Sequence, residues 1–271
     1  MLTSLLTWIS QNFIGVLAFL AVLWIVKKFV MSTQHRWFAY VMHFCTKDEF
    51  PKLEEVKKDH FASMKNHVSH DPELRKKNAI KILEIGVGTG VNFAHYPDDC
   101  RLVVVDPNPH FKEYYNENRK KFPNIHSEDI LVTHRSERYF LFLVCWDAMH
   151  MIEDGSVDAV VITLVLCSVD RIDKILREVR RVLAPGGKFY FMEHVQEFDL
   201  KKYNLRKHLQ DFFTWCGLWP FIFDGCCLNR DPMPAIESAG FSKVEVDRYY
   251  APVPNFLFWV EMPNVKGVAT K

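Results

Sequence analysis

The chain opens on a long apolar run. No charged side chain occurs from Met1 to Val26, and from Phe13 to Val26 (FIGVLAFLAVLWIV) every position except Gly15 is apolar. About 20 such residues in a helix cover the roughly 30 Å of a bilayer's hydrocarbon, so the pattern predicts an N-terminal membrane anchor. No basic stretch precedes it and no small-residue cleavage site comes after it, which points to a retained anchor rather than a removable signal peptide. Lys27, Lys28 and Arg36 come directly after it, and the positive-inside tendency then leaves the rest of the chain facing the cytosol. Polar positions at Thr3, Ser4, Thr7, Ser10, Gln11 and Asn12 keep a monotopic insertion open beside a full span, and a buried core helix is a third alternative.

The segment Arg36 to Phe44 (RWFAYVMHF) mixes aromatic and basic residues. That composition suits a helix lying among lipid headgroups and equally an amphipathic helix packed on a domain. Lys47 to Asn78 is highly charged and contains Pro51 and Pro72, and reads as helix and linker over the entrance of the main domain. Beyond it the periodicity changes. Apolar runs of strand type lie at Lys81 to Ile85, Arg101 to Asp106, Ile125 to Val132, Val157 to Val165 and Lys188 to Glu193, with two more near Val244 to Tyr250 and Phe256 to Met262. Between them, Asn108 and Pro109 start a helix that runs through Phe122. Ile172, Ile175, Leu176, Val179, Val182 and Leu183 recur at helical spacing, with Asp170 or Ser168 as the cap and Pro185-Gly186-Gly187 as the stop. Ala235 to Gly240 closes a shorter helix. Strands alternating with helices predict an α/β fold with a doubly wound, Rossmann-like sheet behind the hydrophobic anchor helix. The expected division is an anchor over 1–28, an amphipathic, charged helical linker over 29–78, the main domain over 79–262 and a tail over 263–271.

The turn after the first strand carries the chemistry. In KILEIGVGTG the strand runs into Gly86, Gly88 and Gly90, which tolerate positive φ and let a ligand approach bare backbone, with the amides of an expected helix start behind them. The second strand ends in Asp106, about twenty residues after Gly86, the offset at which an acid reaches ribose hydroxyls. The pattern implies an adenosine-type ligand. The spacing Glu84-x-Gly86-x-Gly88-x-Gly90 differs from the GxGxxG of dinucleotide folds, which leaves a nicotinamide cofactor disfavoured.

Composition narrows the partners. At 271 residues, 49% hydrophobic and 25% charged, the chain holds one large α/β domain plus an appendage, and a formal net charge of +1 supplies no field to attract nucleic acid. Seven cysteines, an odd number without a CxxC pair, fit reduced thiols better than a disulfide framework. Of the twelve histidines, His67 and His70 read as solvated surface residues, and no metal is expected.

With ExGxGxG and the strand-end acid in place, the sequence resembles the class I S-adenosylmethionine-dependent methyltransferases. Trp146-Asp147-Ala148 with MHMIEDGSV is similar to the acidic loop that contacts adenine in that family, and LREVRRVLAPGGKFYF to the helix and strand beyond that loop. DPNPHF, TLVLCSV, FYFMEHV and FDGC, behind an apolar anchor, resemble more narrowly a group of membrane-associated methyltransferase-like proteins of the endoplasmic reticulum and lipid droplets, associated with alkyl thiol S-methylation. The resemblance implies S-adenosyl-L-methionine as cofactor, held by Glu84, Gly86, Gly88, Gly90, Asp106, Asp147, Ala148 and Leu164. It further implies a small lipophilic thiol as acceptor and membrane lipid as a partner through the anchor. One departure stands out: Arg135 to Trp146 (RSERYFLFLVCW) intervenes where the family passes quickly through a Gly-Glu pair.

Methyl transfer is an in-line displacement, and its first requirement is positioning. A thiol already has a few per cent thiolate at neutral pH, so a dedicated base is optional. If one acts, His194 at the end of the fifth strand or Asp224 in FDGC is the candidate. Cys167 lies where acceptors approach, as a small thiol lining the pocket. Three readings stay open: a methyltransferase of lipophilic thiols, one acting on a quinone or lipid hydroxyl, and a membrane or lipid-droplet protein that keeps the fold without activity.

Overall fold

A computed structural model describes residues 12–47, 51–132, 149–253 and 256–271. The apolar run forms helix α1 (Phe13–Ser32). At 20 residues it is long and apolar enough to cross a membrane, and none of it is buried against the protein. Thr33 separates it from α2 (Gln34–Lys47), and α3 (Pro51–Phe61), a 3-10 turn over Ala62–Asn66 and α4 (Pro72–Lys76) complete the N-terminal region. Asp71 caps α4, its carboxylate accepting the Glu73 amide, with Pro72 at the first helical position.

The core is a seven-stranded sheet. Its strands are β1 (Lys81–Ile85), β2 (Arg101–Asp106), β3 (His126–Val132), β4 (Val157–Thr163), β5 (Leu183–His194), β6 (Lys243–Tyr250) and β7 (Pro263–Thr270), in the order β3-β2-β1-β4-β5-β7-β6. The first five run parallel, and β7 pairs antiparallel with both β5 and β6. From β1 the chain winds outward to β2 and β3, then returns to the other side for β4 and β5. That reversal creates a crevice at the carboxyl ends of β1 and β4, where ligands of such sheets bind.

Strand periodicity divides the burial. Leu83, Ile85, Val103, Val105, Val160, Ile162, Phe189 and Phe191 face one layer, where α6 (Ile172–Val182) contributes Ile175, Leu176, Val179 and Val182 and α9 (Met233–Ser238) contributes Met233 and Ile236. Ile82, Leu102, Val104, Val161 and Tyr190 face the other, against Phe61, Met64, Phe93 and Tyr115 of α5 (Lys112–Arg119). Each such side chain stabilises the fold by about 1.5–3 kcal/mol. Two further helices, α7 (Leu200–Trp215) and α8 (Leu218–Ile222), lie beyond β5 and carry the aromatic stretch.

Several expectations change. The glycine turn leads into no α-helix: between β1 and β2 the chain makes turns and one 3-10 turn at Phe93–His95. The helix after Asn108 is a 3-10 turn at Pro109–Phe111 followed by α5, which ends at Arg119; Asn108 does cap it, accepting the His110 amide at 3.1 Å. Helix α6 has no side-chain cap from Asp170 or Ser168. Its end falls at Val182, and Pro185, Gly186 and Gly187 lie inside β5, which begins at Leu183. Phe256–Glu261 is a 3-10 helix rather than a strand, and the segment read as a tail is β7. Gly267 makes that strand possible, because a Cβ there would come within 2.4 Å of the Phe191 ring.

Candidate active site

Glu84 and Asp106 sit at neighbouring strand ends because β1 and β2 pair in register, Glu84 opposite Val104. Alternation points both into the layer containing Phe93. Both are buried. Asp106 is held by backbone: its Oδ2 accepts the Gly88 amide at 2.8 Å and its Oδ1 the Asn108 amide at 2.8 Å. Burial raises its carboxyl to about 6 against these two bonds, with the charge of Asp224 adding to the rise. Glu84 Oε1 accepts from Asn92 Nδ2 at 2.8 Å, and Asn92 also reaches Thr163 Oγ1 at 3.2 Å. Its Oε2 and the nearby Tyr96 hydroxyl are buried, with no hydrogen bond of good geometry among the described residues. Burial pushes Glu84 to about 7, opposed by Tyr96 and Asn92.

The three glycines do different work. All have positive φ. A Cβ on Gly86 would meet Val165 Cγ2 at 2.3 Å and one on Gly90 would meet the Phe93 ring at 2.3 Å, so both serve packing. Among the described residues, a Cβ on Gly88 would meet only Phe111, at 3.9 Å, and the turn opens there to a ligand. An orphaned carboxylate oxygen and an open glycine on one cleft wall fit an adenosine cofactor with a cationic tail.

Leu164, the residue after β4, lies in the left-handed region at φ 56°, is 52% exposed and donates its amide to the Met192 carbonyl at 2.9 Å. A bulky residue in that conformation costs on the order of 1–3 kcal/mol. The acidic loop is pinned from below: Arg181 of α6 donates to the carbonyls of Met149 at 2.7 Å and Ile152 at 2.8 Å. Asp147, Ala148 and the Arg135 to Trp146 segment lie outside the described residues.

His194 and Asp224 part company. Asp224, itself at φ 47°, places Oδ2 3.0 Å from Nδ1 of His35 in α2, and its charge acts on Asp106. His194 is buried, with Nε2 2.7 Å from Cys226 Sγ, and Cys167 stands beside them. The ligating atoms of Cys167, His194 and Cys226 lie within 4.8 Å of one another, an arrangement that can hold a metal ion. Glu193 fixes the loop bearing Cys167: Oε1 accepts the amides of Val165 and Leu166, each at 2.9 Å, and Oε2 that of Cys167 at 3.4 Å. The hydrogen bond from Cys226, opposed by burial and helped by the charge of His194, holds the Cys167 thiol well below its ordinary range. Burial alone would depress His194, but the Cys167 thiolate outweighs it and raises the imidazole to about 9. Trp219, Phe223 and Phe258 pack around the two thiols. Sequence reasoning missed this convergence, although TLVLCSV, FYFMEHV and FDGC each contain one of the three residues.

Helix α2 packs on the domain over the crevice. Thr46 Oγ1 meets Thr89 Oγ1 of the glycine turn at 3.1 Å, the His43 ring stacks on Tyr114 at 4.2 Å, and Asn108 Nδ2 donates to the His35 carbonyl at 2.9 Å. Gln34 Nε2 donates to the Phe221 carbonyl at 2.8 Å. Tyr40 and Phe44 stay exposed.

A doubly wound sheet with a glycine turn and paired strand-end acids at its switch point defines a nucleoside-cofactor enzyme. Residues 83–191 match the methyltransferase domain family. The human thiol S-methyltransferase TMT1A is 35% identical over 262 residues, 96% of this chain and 91% of that protein. The human thiol S-methyltransferase TMT1B is 34% identical over 245 residues, 87% of this chain and 86% of that protein. Among solved structures, a chain of the complex between the Haloferax volcanii Trm112 methyltransferase activator and a methyltransferase superposes with a TM-score of 0.54 at 15% identity, covering 87% of this chain and 96% of that one. The chain belongs to the thiol S-methyltransferase family, and it is an S-adenosylmethionine-dependent methyltransferase with S-adenosyl-L-methionine as its cofactor.

Proposed function

We propose that the enzyme S-methylates small lipophilic alkyl thiols at a membrane surface, with the 1–28 segment as anchor, the 29–78 segment as linker and lid, and the catalytic domain facing the cytosol at the endoplasmic reticulum or lipid droplets. The observation that carries this reading is the apolar, aromatic wall of Trp219, Phe223 and Phe258 around two thiols at the acceptor side of the crevice. Such a wall gains from burying hydrocarbon and loses from desolvating charge. The similarity to proteins named thiol S-methyltransferases supports it, as does the apolar helix α1 running into the lid α2.

In this reading Asp106 takes the ribose hydroxyls, Glu84 meets the methionine ammonium directly or through water, and the open face of Gly88 admits the cofactor. Bound there, the cofactor supplies an electrophilic methyl on sulfonium. Leu164 at the edge of β4 borders the transfer path, and Asp147 and Ala148 serve adenine. Asp224 acts through His35 and the lid rather than as a base. His194 engages Cys226 through Nε2, and its part is to organise the acceptor side. The protein's contribution is to align donor and acceptor and exclude water.

The test is a methyl-transfer screen with the full chain in membranes. Apolar alkyl thiols should be methylated in preference to glutathione and cysteine. Methylation of phenols or quinones alone would replace the thiol reading, and no transfer to any class with S-adenosylmethionine bound would indicate a fold without activity.

A further inference from the structure

We propose that Cys167, His194 and Cys226 form a three-ligand site for a thiophilic divalent cation, zinc first, whose fourth position takes the acceptor thiol; that last part rests on the thiol reading above. The three residues come from separate parts of the chain: the loop after β4, the last position of β5 and the segment after α8. Topology alone brings them to the carboxyl edge of the sheet, where the crevice lies.

Each ligand is held in place by backbone. Cys167 is fixed by the Glu193 carboxylate on its own amide and its two predecessors. His194 is paired in register with Asn264 of β7. The Cys226 segment is tied to the Cys167 loop by the Cys227 amide, which donates to the Cys167 carbonyl at 3.0 Å.

The donor set suits the ion. Zinc binds thiolate sulfur at about 2.3 Å and imidazole nitrogen at about 2.0–2.1 Å in tetrahedral geometry, which sets ligand atoms roughly 3.4–3.8 Å apart. The three atoms here, all within 4.8 Å of one another and His194 Nε2 only 2.7 Å from Cys226 Sγ, surround such a centre after movements of under about 1 Å. Two thiolates and a neutral imidazole cancel a divalent charge, which permits burial beside Trp219, Leu228 and Val260. His194 Nδ1, the nitrogen not facing Cys226, is buried and has no hydrogen bond among the described residues. A metal-bound histidine turns its second nitrogen to a carboxylate or water, and Glu261 lies close enough to act on His194. Two cysteines and one histidine also leave tetrahedral zinc one open position, the ligand count of catalytic rather than structural sites.

The step balances simply. The acceptor R–SH binds the cation as R–S⁻, its proton passing to solvent; the sulfur then attacks the methyl carbon, forming S–CH3 as the sulfonium S–CH3 bond breaks. The products are R–S–CH3 and S-adenosylhomocysteine. The neutral thioether is the weaker ligand and leaves.

The test begins with wild-type full chain purified from membranes in mild detergent under reducing conditions. Elemental analysis should find about one zinc per chain after dialysis, lost in Cys167→Ser, Cys226→Ser and His194→Ala and retained in Cys227→Ser. Because a ligand variant that misfolds also loses metal, the wild type is reconstituted with cobalt(II) as well. Thiolate-to-cobalt charge-transfer bands should appear, and 1-octanethiol without S-adenosylmethionine should shift the ligand-field bands, whereas its methyl thioether should not. Absence of stoichiometric metal, or a Cys167–Cys226 disulfide under the reducing conditions, overturns the site. Cobalt bands indifferent to thiol overturn the open position. A loaded site in a protein that methylates no thiol overturns the thiol reading and leaves the metal assignment standing.

Discussion

His35 and Asp224 stand 189 positions apart in the chain, yet the imidazole Nδ1 and carboxylate Oδ2 are 3.0 Å apart. One belongs to α2, which follows the membrane-capable helix; the other belongs to the segment that also supplies Cys226. Their contact ties the N-terminal region to that segment, while Thr46 ties it to the glycine turn.

That arrangement gives different outcomes for two truncations. Deleting residues 1–28 should release the protein from membranes and leave S-adenosylmethionine binding within about twofold, because α2 keeps its contacts. Extending the deletion through Lys47 should abolish tight cofactor binding. Fractionation followed by calorimetry on both proteins reads the difference, and equal cofactor affinity in the two would remove α2 from the site.

Breaking the pair itself should cost little stability. His35 is about half exposed, and ion pairs in such positions contribute roughly 0–1 kcal/mol. His35→Ala and Asp224→Ala should therefore melt within a few degrees of wild type while raising the KM for thiol. A double-mutant cycle on KM should show coupling between the two.

Asp106→Ala should weaken S-adenosylmethionine binding by about 1–3 kcal/mol, since it removes the charge-assisted bonds proposed for ribose and frees the Gly88 amide that the carboxylate holds. Asp106→Asn should lose less. Titration calorimetry at fixed pH decides, with an unchanged dissociation constant in folded protein as the opposing result.

Glu84 makes stability depend on pH in an unusual direction for a carboxylate. Its folded value of about 7 lies above the ordinary 4.5, so the folded state holds the proton more tightly than the unfolded one. The associated stability is fully present below about pH 4.5 and is lost as pH rises toward 7, by up to about 3 kcal/mol from this residue. Asp106, raised from 3.8 to about 6, acts in the same direction. Cofactor-free protein should melt higher at pH 5 than at pH 7.5, and Glu84→Gln should flatten that dependence. Thermal melts in detergent across this range measure it.

Glu193 is the internal brace. Replacing it with glutamine keeps a carbonyl for two amides but gives up the second oxygen on Cys167. A loss of about 1–3 kcal/mol is expected. Denaturation of Glu193→Gln against wild type, with the Leu164 loop monitored by proteolysis, is the measurement.

Much of this molecule is set by runs of neighbouring residues. The apolar segments at Lys81, Arg101 and Val157 are strands because both faces are buried in a parallel sheet, and the glycine turn and Asp106 are legible because they act within about twenty residues of one another. The length of α1 likewise comes from one uninterrupted stretch. What the chain order conceals is any contact made across the fold. Strand β7 reads as a tail in the sequence, since PNVKGVAT is strand only when wedged antiparallel between β5 and β6, with Gly267 under Phe191. The packing of α2 on Thr89, Phe111 and Tyr114 is another contact made across the fold. In the sequence Cys167 reads as a pocket-lining thiol, His194 as a candidate base and Cys226 only as the last residue of FDGC. Only the winding of the sheet, which returns successive strand ends to one edge, makes them neighbours, because local periodicity sets which face a side chain takes and topology sets whom it meets there.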